Sequence, residues 1–220
     1  MSARARRLRT LAALALAVAA MFTAAPSAAR EIATREWNFA VSLDGRPIGE
    51  HRFTLHDRGE TRELRSEALF NVRFLFINAY RYEHSAREQW QGDCLQSVDA
   101  RTDANGKPLL VEGERENGAF RTRTGSTDVL PDDCVQTFAY WNPSILDARR
   151  LLNPQTGEYL DVKVLLMGRE VIGGQQADPY RLIGKSDAPL QIDLWYTPAR
   201  DWVALESLTP EGRRLHYKRK

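Results

Sequence analysis

Short runs in which apolar and polar residues alternate fill most of this 220-residue chain and limit the folds open to it. In the run EWNFAVSL, every second residue is apolar, namely Trp37, Phe39, Val41 and Leu43. Such alternation places the apolar side chains on one face of a β-strand. Many similar runs follow, divided by turn-forming pairs such as Asp-Gly and Asn-Gly. The pattern predicts an all-β protein with one short helix, in which a large curved antiparallel sheet forms a half-barrel or a barrel-like meander.

The first 29 residues have the features of a secretion signal. Arginines precede the apolar run Leu11–Phe22, and Ser27 and Ala29 occupy the −3 and −1 positions of a cleavage site. The apolar run has 12 residues, whereas a helix that spans a bilayer needs about 20. We therefore expect residues 1–29 to be a cleaved signal peptide and residues 30–220 to be a single β domain. The alternative is an uncleaved membrane anchor.

The signal also affects the charge of the chain. The formal charge of +2 becomes −2 once the four arginines of the signal are removed. Acidic and basic residues are interspersed, and the only basic run is YKRK at the C-terminus, so we expect no nucleic-acid partner. We also expect no stable transmembrane segment after the signal. An exported chain of this kind is predicted to reside in the periplasm, with an extracellular location as the alternative.

Two cysteines, Cys94 and Cys134, are present in the chain. Two thiols in an oxidising compartment are usually paired, so we predict a disulfide between them. The competing interpretation is two separate buried thiols. A redox site is disfavoured because there is no C-x-x-C motif, and the spacing does not match that of zinc ligands.

The stretch FAYWNPSILDARRLL differs from the rest of the chain, because its apolar residues have helical rather than strand spacing. Asn142 can cap a helix, and Pro143 suits the first helical position. Asn153 precedes a proline, which disfavours α geometry and ends the helix. We therefore predict a helix over residues 142–152.

Two interpretations of this helix remain open. It could be a connector that joins two halves of a sheet, or a lid over a cavity in the concave face. In both interpretations Trp141 and Ile145 are predicted to face inward and to cover one opening of the sheet.

Sequence motifs that carry chemistry are missing. There is no G-x-S-x-G elbow, no phosphate-binding loop and no histidine doublet with metal-ligand spacing. We expect the four histidines, which lie in strand-like runs, to be satisfied or exposed: His51, His56, His84 and His216. The adjacent Asp132 and Asp133 are expected to belong to a turn. The sequence thus predicts no catalytic residue, no metal site and no cofactor.

Aromatic residues give the more informative signal. Their simplest explanation is an ordinary core, and the alternative is a cavity for an apolar ligand, since ligand pockets are mostly apolar with a few polar groups. The candidate ligand-binding residues are Tyr80, Tyr82, Tyr140, Trp141, Ile145, Trp195 and Tyr196. Four arginines could contact an anionic head group at a cavity mouth, although a solvent-facing position is simpler for most of them: Arg73, Arg81, Arg87 and Arg181.

Several phrases taken together resemble one family along nearly all of the chain after the signal. They include SLDGRPIGEHRF, YRYEHSAREQW, DANGKPLLVEG, FAYWNPSIL and IDLWYTP. The chain resembles an uncharacterised family of secreted proteobacterial proteins, a domain of unknown function. That family is remotely similar to the half-barrel carriers that move lipoproteins across the periplasm. The resemblance implies a curved antiparallel sheet around a hydrophobic cavity and implies no catalytic residue.

Two functional hypotheses follow. The leading one is a non-enzymatic periplasmic protein that binds or carries an apolar or lipid-like ligand in the cell envelope. The alternative is a structural or interaction module with a filled core that docks on an envelope protein. An envelope enzyme is disfavoured because no catalytic triad or metal set is visible in the sequence. A cavity of roughly 300 Å³ or more would favour the carrier, and a close-packed interior would favour the scaffold.

Overall fold

A computed structural model describes residues 32–74, 77–124, 126–130, 134–185 and 190–220. The predicted signal peptide and the Asp132–Asp133 pair lie outside the described residues. The first eight strands are β1 (Ala33–Leu43), β2 (Arg46–Asp57), β3 (Thr61–Phe74), β4 (Ile77–Gln91), β5 (Cys94–Ala104), β6 (Pro108–Glu116), β7 (Ala119–Thr124) and β8 (Ser126–Leu130). After a 3₁₀ helix, Pro143–Asp147, come β9 (Arg150–Leu152), β10 (Tyr159–Leu166), β11 (Glu170–Ile172), β12 (Gln175–Lys185), β13 (Leu190–Tyr196), β14 (Trp202–Leu208) and β15 (Arg214–Arg219).

These strands form one large antiparallel sheet in the order β8-β7-β6-β5-β4-β3-β2-β1-β15-β14-β13-β12-β10-β9, and β11 pairs with β12 beside this path. The chain thus makes a first meander, β1–β8, and a second meander, β9–β15. The first and last strands join them, with Phe39 opposite Arg219 and Leu43 opposite Leu215. The sheet is not closed, because within the described residues β8 and β9 are its two edges. The predicted all-β architecture with one large antiparallel sheet is confirmed.

Tight turns connect neighbouring strands where the sequence has Asp-Gly or Asn-Gly. Asp44 and Gly45 have φ values of 48° and 77°, and Asn105 and Gly106 have values of 58° and 82°. Two successive residues with positive φ make the turn whose twist matches that of the flanking strands, and Asn, Asp and Gly tolerate this conformation best. The short turns therefore hold the strands in antiparallel register.

The alternating apolar residues face a common interior. Trp37, Phe39, Val41 and Leu43 of β1 are all buried, as predicted. Buried side chains from both meanders belong to the same apolar cluster. The hydrophobic effect explains this arrangement, because each strand can remove one row of apolar side chains from water only by turning that row toward the concave face.

Residues 134–148, which we call the crossing segment, link the two meanders. Two main-chain hydrogen bonds connect it to the sheet. The carbonyl of Val135 accepts from the N–H of Leu95 on β5, and the carbonyl of Gln136 accepts from the N–H of Leu152 on β9. Every second residue from Val135 to Trp141 is buried. The crossing segment is therefore packed between the two meanders along much of its length.

The helix predicted over residues 142–152 is shorter than expected and of a different type. The structure has a 3₁₀ helix over Pro143–Asp147, and Ala148 is already extended, with φ −67° and ψ 144°. Leu151 and Leu152 instead belong to β9, where they pair with β10 and are buried. Sheet pairing and burial outweigh the weak helical preference of so short a segment. The predicted cap is confirmed, because the side chain of Asn142 accepts a hydrogen bond from the main-chain N–H of Ser144.

The predicted disulfide is present and anchors the crossing segment. Cys94 at the start of β5 is bonded to Cys134, with 4.7 Å between their Cα atoms. The bridge closes a loop across a sequence separation of 40 residues, which corresponds to ~4 kcal/mol of stabilisation if its effect is mainly on the unfolded chain.

Candidate functional site

An interior cavity of about 240 Å³ lies between the two meanders and the crossing segment. Strands β2 to β4 contribute one side of it, strands β13 to β15 the other, and the crossing segment and the turn after β9 complete the lining. The lining residues are His51, Phe53, Leu64, Ser66, His84, Ala86, Glu88, Phe138, Ala139, Tyr140, Asn153, Pro154, Gln155, Leu190, Ile192, Leu205, Ser207, Leu215 and Tyr217.

Two histidines meet on the inner face of the first meander because of the strand register. His51 on β2 lies opposite Ala68 on β3, and Ala68 lies opposite His84 on β4. The methyl group of Ala68 leaves space above it, so the rings approach across the intervening strand, with 6.5 Å between their centroids. The two imidazoles therefore share one region of the cavity wall.

Buried hydroxyl groups surround this histidine pair. Nε2 of His51 lies 2.7 Å from Oγ of Ser66, and its Nδ1 lies 3.3 Å from the hydroxyl of Tyr217. Nδ1 of His84 lies 2.9 Å from Oγ1 of Thr102. In the part of the chain that the structure describes, Nε2 of His84 has no hydrogen-bond partner. It is thus the nitrogen of the pair that remains available to a ligand.

Burial keeps both histidines neutral near pH 7. Loss of hydration lowers the pKa of His84 to about 4. The same effect, followed by the nearby His84, lowers the pKa of His51 well below its ordinary value of 6.5. Neutral imidazoles can both donate and accept hydrogen bonds, so the pair offers the cavity polar groups without a positive charge.

A buried carboxyl group also faces the cavity. Glu88 is only 3% exposed, and its Oε2 accepts a hydrogen bond from the indole N–H of Trp90 at 3.0 Å. Burial raises the pKa of Glu88 to about 7. Sequence reasoning missed this residue, although it has the same strand parity as His84 and Ala86 and so had to face inward with them.

The seven candidate ligand-binding residues occupy different positions. Tyr140 lines the cavity, and its main-chain carbonyl accepts a 2.7 Å hydrogen bond from the hydroxyl of Tyr196, which is buried. Ile145 is buried in the core, and Trp141 packs edge-to-face on Trp90 with 5.6 Å between the rings.

The remaining candidates lie further from the cavity. Tyr82 is half-buried and stacks on Phe70. Tyr80 is 40% exposed, and the indole N–H of Trp195 donates to Glu170 outside the core. The structure thus brings Tyr140, Trp141, Ile145 and Tyr196 close to one another in the interior, and does not bring Tyr80 or Trp195 to them.

The arginines considered for an anionic head group pair with carboxylates. Arg81 contacts Glu83, Arg181 contacts Asp193 at 2.7 Å, and Arg87 is 3.7 Å from Glu63. None of these three lines the cavity. The side chain of Arg73 lies outside the described residues.

A second recess, of about 860 Å³, opens near the β1–β2 turn and the end of β3. Its lining combines inward-facing apolar residues such as Val41 and Leu43 with exposed ones such as Arg46 and Glu50. Because none of the described residues that line this recess is a buried polar one, the smaller histidine-lined cavity is the better candidate site.

Two negative findings concern the described residues. They contain no group of three or more histidine, cysteine or acidic side chains placed to hold a metal ion. They also include no helix with the length and apolar character needed to cross a membrane.

Comparison with known proteins identifies the family and the fold of the chain. The sequence matches the profile of a domain of unknown function, DUF6134, over residues 39–220. The chain belongs to the DUF6134 family. No curated protein matches the sequence.

The fold of this DUF6134 domain is similar to that of a solved structure. It is a crystal structure of a β-barrel-like protein of domain of unknown function DUF1849 from Brucella abortus, with a TM-score of 0.65 and 9% sequence identity. The similarity covers 88% of this chain and 98% of the other. At this identity the likeness shows the barrel-like fold alone.

Proposed function

We propose that this DUF6134 domain is a non-enzymatic binding protein that holds or carries an apolar, lipid-like ligand in the cell envelope. The observation that carries the proposal is the cavity of about 240 Å³ between the two meanders, which is partly open to solvent. Its apolar lining residues lack, on the cavity side, the close-packed neighbours that are normal in a protein interior. A bound ligand would supply these contacts.

The mixture of groups on the cavity wall supports a ligand with an apolar body. On β13, β14 and β15, four of the six described lining residues are aliphatic, namely Leu190, Ile192, Leu205 and Leu215. The polar lining groups around the histidine pair come from β2, β3 and β4 and, through the hydroxyl of Tyr217, from β15. This composition is typical of ligand pockets, in which apolar contacts provide affinity and a few polar groups fix orientation. The volume is just below that of pockets for drug-sized molecules, which begins at about 300 Å³, so the proposed occupant is small or only partly inserted.

We propose the periplasm as the site of action. The features of residues 1–29 support export, and the Cys94–Cys134 disulfide is compatible with an oxidising compartment. The alternative function, a scaffold that docks on an envelope protein, requires a domain that needs no ligand to fill its interior.

Native mass spectrometry tests the proposal. The chain is expressed with its N-terminal segment, purified from the envelope fraction and sprayed under native conditions, and its mass is compared with that of the delipidated protein. We expect a retained small apolar molecule. An empty protein from every fraction would instead favour the scaffold.

A cavity-filling variant gives a second test, and a surface variant on the same strand is its matched control. Ala86→Leu places a larger side chain on the inner face of β4, where Ala86 lines the cavity. Ser85→Leu makes a similar change on the exposed face of the same strand. We expect only Ala86→Leu to lose the retained molecule, while both variants stay folded, since overpacking of this kind costs about 1–3 kcal/mol.

A further inference from the structure

We propose that the cavity selects an uncharged ligand that carries a hydroxyl head group, and that this hydroxyl binds Nε2 of His84. The inference rests on the proposed function and names its ligand class. It distinguishes an alcohol from the two charged alternatives with the same apolar tail, a carboxylate and an ammonium ion.

The first step concerns the charges at the cavity wall. Within the described residues, the lining includes no lysine and no arginine. Three arginines of the neighbouring strands, Arg65, Arg87 and Arg181, lie outside this lining and pair with carboxylates. An ionised carboxylate that entered the cavity would lose its hydration without gaining a cationic partner, which is strongly unfavourable.

The second step concerns the histidines and Glu88. His51 and His84 cannot replace the missing cation at neutral pH, because burial lowers the pKa of both. Among the described lining residues Glu88, whose pKa burial raises to about 7, is the one carboxyl group, and its ionised form repels an anion. The wall is therefore neutral or negative.

The third step concerns the hydrogen-bonding capacity of His84. Its Nδ1 is 2.9 Å from Oγ1 of Thr102. If Nδ1 donates to that oxygen, Nε2 is an acceptor; if the threonine donates, Nε2 carries the proton. A hydroxyl group both donates and accepts, so an alcohol satisfies Nε2 in either tautomer. An ammonium group only donates, and at pH 6, where Glu88 is mostly protonated, it would have to leave water for a site in which no described lining residue carries a negative charge.

The test compares three probes that differ only in the head group: octan-1-ol, octanoate and octylammonium. Binding to the delipidated protein is measured by isothermal titration calorimetry at pH 6, where octanoate is an anion, octylammonium is a cation and Glu88 is mostly protonated. We expect octan-1-ol to bind at least about tenfold more tightly than either ion. Equal or tighter binding of octanoate or octylammonium would overturn the inference and leave the proposed function standing. If none of the three probes binds, the proposed function fails and this inference fails with it.

Variants of His84 separate a specific contact from simple partition into an apolar space. His84→Leu removes Nε2, and His84→Gln keeps a group that donates and accepts. His56→Leu is the matched control on the opposite face of β2, where His56 contacts Thr34. We expect the affinity for octan-1-ol to fall at least about fivefold in His84→Leu and to recover in His84→Gln, with no change in His56→Leu. An alcohol affinity that is unchanged in His84→Leu would overturn the assignment. If His84→Leu does not fold, His84→Phe, which keeps a planar ring without Nε2, takes its place with the same expected loss of affinity.

Discussion

The two walls of the cavity are built from the same kind of antiparallel strand but differ in chemistry. The wall from β2, β3 and β4, which we call the histidine wall, carries His51, Ser66, His84 and Glu88. The wall from β13, β14 and β15, which we call the aliphatic wall, has four aliphatic residues beside Ser207 and Tyr217: Leu190, Ile192, Leu205 and Leu215. An interior that served only stability would be apolar on both sides, because buried polar groups add little net stability even when they are paired.

The difference suggests a division of roles. The aliphatic wall removes apolar surface of a ligand from water, which is non-directional. The histidine wall offers groups that require a matching partner and so fix orientation. Substitutions made on one wall at a time can therefore test whether the two walls have different roles.

The largest expected effect on the free energy of unfolding comes from the crossing segment, which completes the cavity lining. Trp141 is buried against Trp90 and does not line the cavity. We expect Trp141→Ala to lower the free energy of unfolding by ~3–5 kcal/mol, as for other truncated core tryptophans. Denaturant unfolding measures this loss, and Trp195→Ala on the outer face is the control with a small effect. Loss of ligand without loss of stability would instead identify Trp141 as a lid.

The second prediction concerns how the free energy of unfolding changes as Glu88 on the histidine wall loses its proton with rising pH. Glu88 has an ordinary pKa of 4.5 and a pKa of about 7 in the folded protein, because of burial. The folded state holds this proton more tightly than the unfolded state, so the resulting stability is present below pH 4.5 and is lost as pH rises through 7. Relative to Glu88→Gln, we expect the wild type to lose about 3 kcal/mol between pH 4.5 and pH 8.

Unfolding curves at several pH values measure this loss. Glu67→Gln, at an exposed position on β3, serves as the control and should follow the wild type. If Glu88→Gln has the same pH dependence as the wild type, the carboxyl is not buried as described.

The third prediction concerns the histidine wall in acid. His84 has an ordinary pKa of 6.5, which burial lowers to about 4 in the folded protein. The unfolded state therefore binds this proton more readily, and stability is lost as pH falls from 6.5 toward 4. We expect the wild type to lose about 2 kcal/mol more than His84→Gln between pH 7 and pH 5. His56→Gln, on the outer face of β2, should show no such difference from the wild type in the same unfolding series.

The sheet could be predicted from the sequence because it depends on local signals. Alternation placed Trp37 to Leu43 on the inner face, and Asp44-Gly45 marked the turn. The helix over residues 142–152 was partly wrong because the spacing of Leu151 and Leu152 fits a helix as well as a strand. Only their pairing with β10, some eight residues later, decides between the two.

The candidate site was less accessible to sequence reasoning. Alternation placed Tyr82 and His84 on one face, and the same parity could have identified Glu88. The approach of His51 to His84 was not predictable in this way, because it depends on the register of three strands and on a small residue, Ala68, at the middle position. Register is a tertiary property that a single strand pattern does not contain.

The smallest expected effect compares the same substitution on the two walls. Ser66 lies 2.7 Å from Nε2 of His51. Ser207, on β14 in the aliphatic wall, has a 3.5 Å hydrogen bond to the main-chain carbonyl of Leu208. Ser66→Ala leaves a buried imidazole nitrogen without its partner, which costs about 1 kcal/mol or somewhat more. Ser207→Ala removes little and should stay within about 0.5 kcal/mol of the wild type. Chemical denaturation of both variants under one set of conditions measures the difference. Equal effects would mean that the hydroxyl groups of the two walls are interchangeable, and the division of roles between the walls would then be wrong.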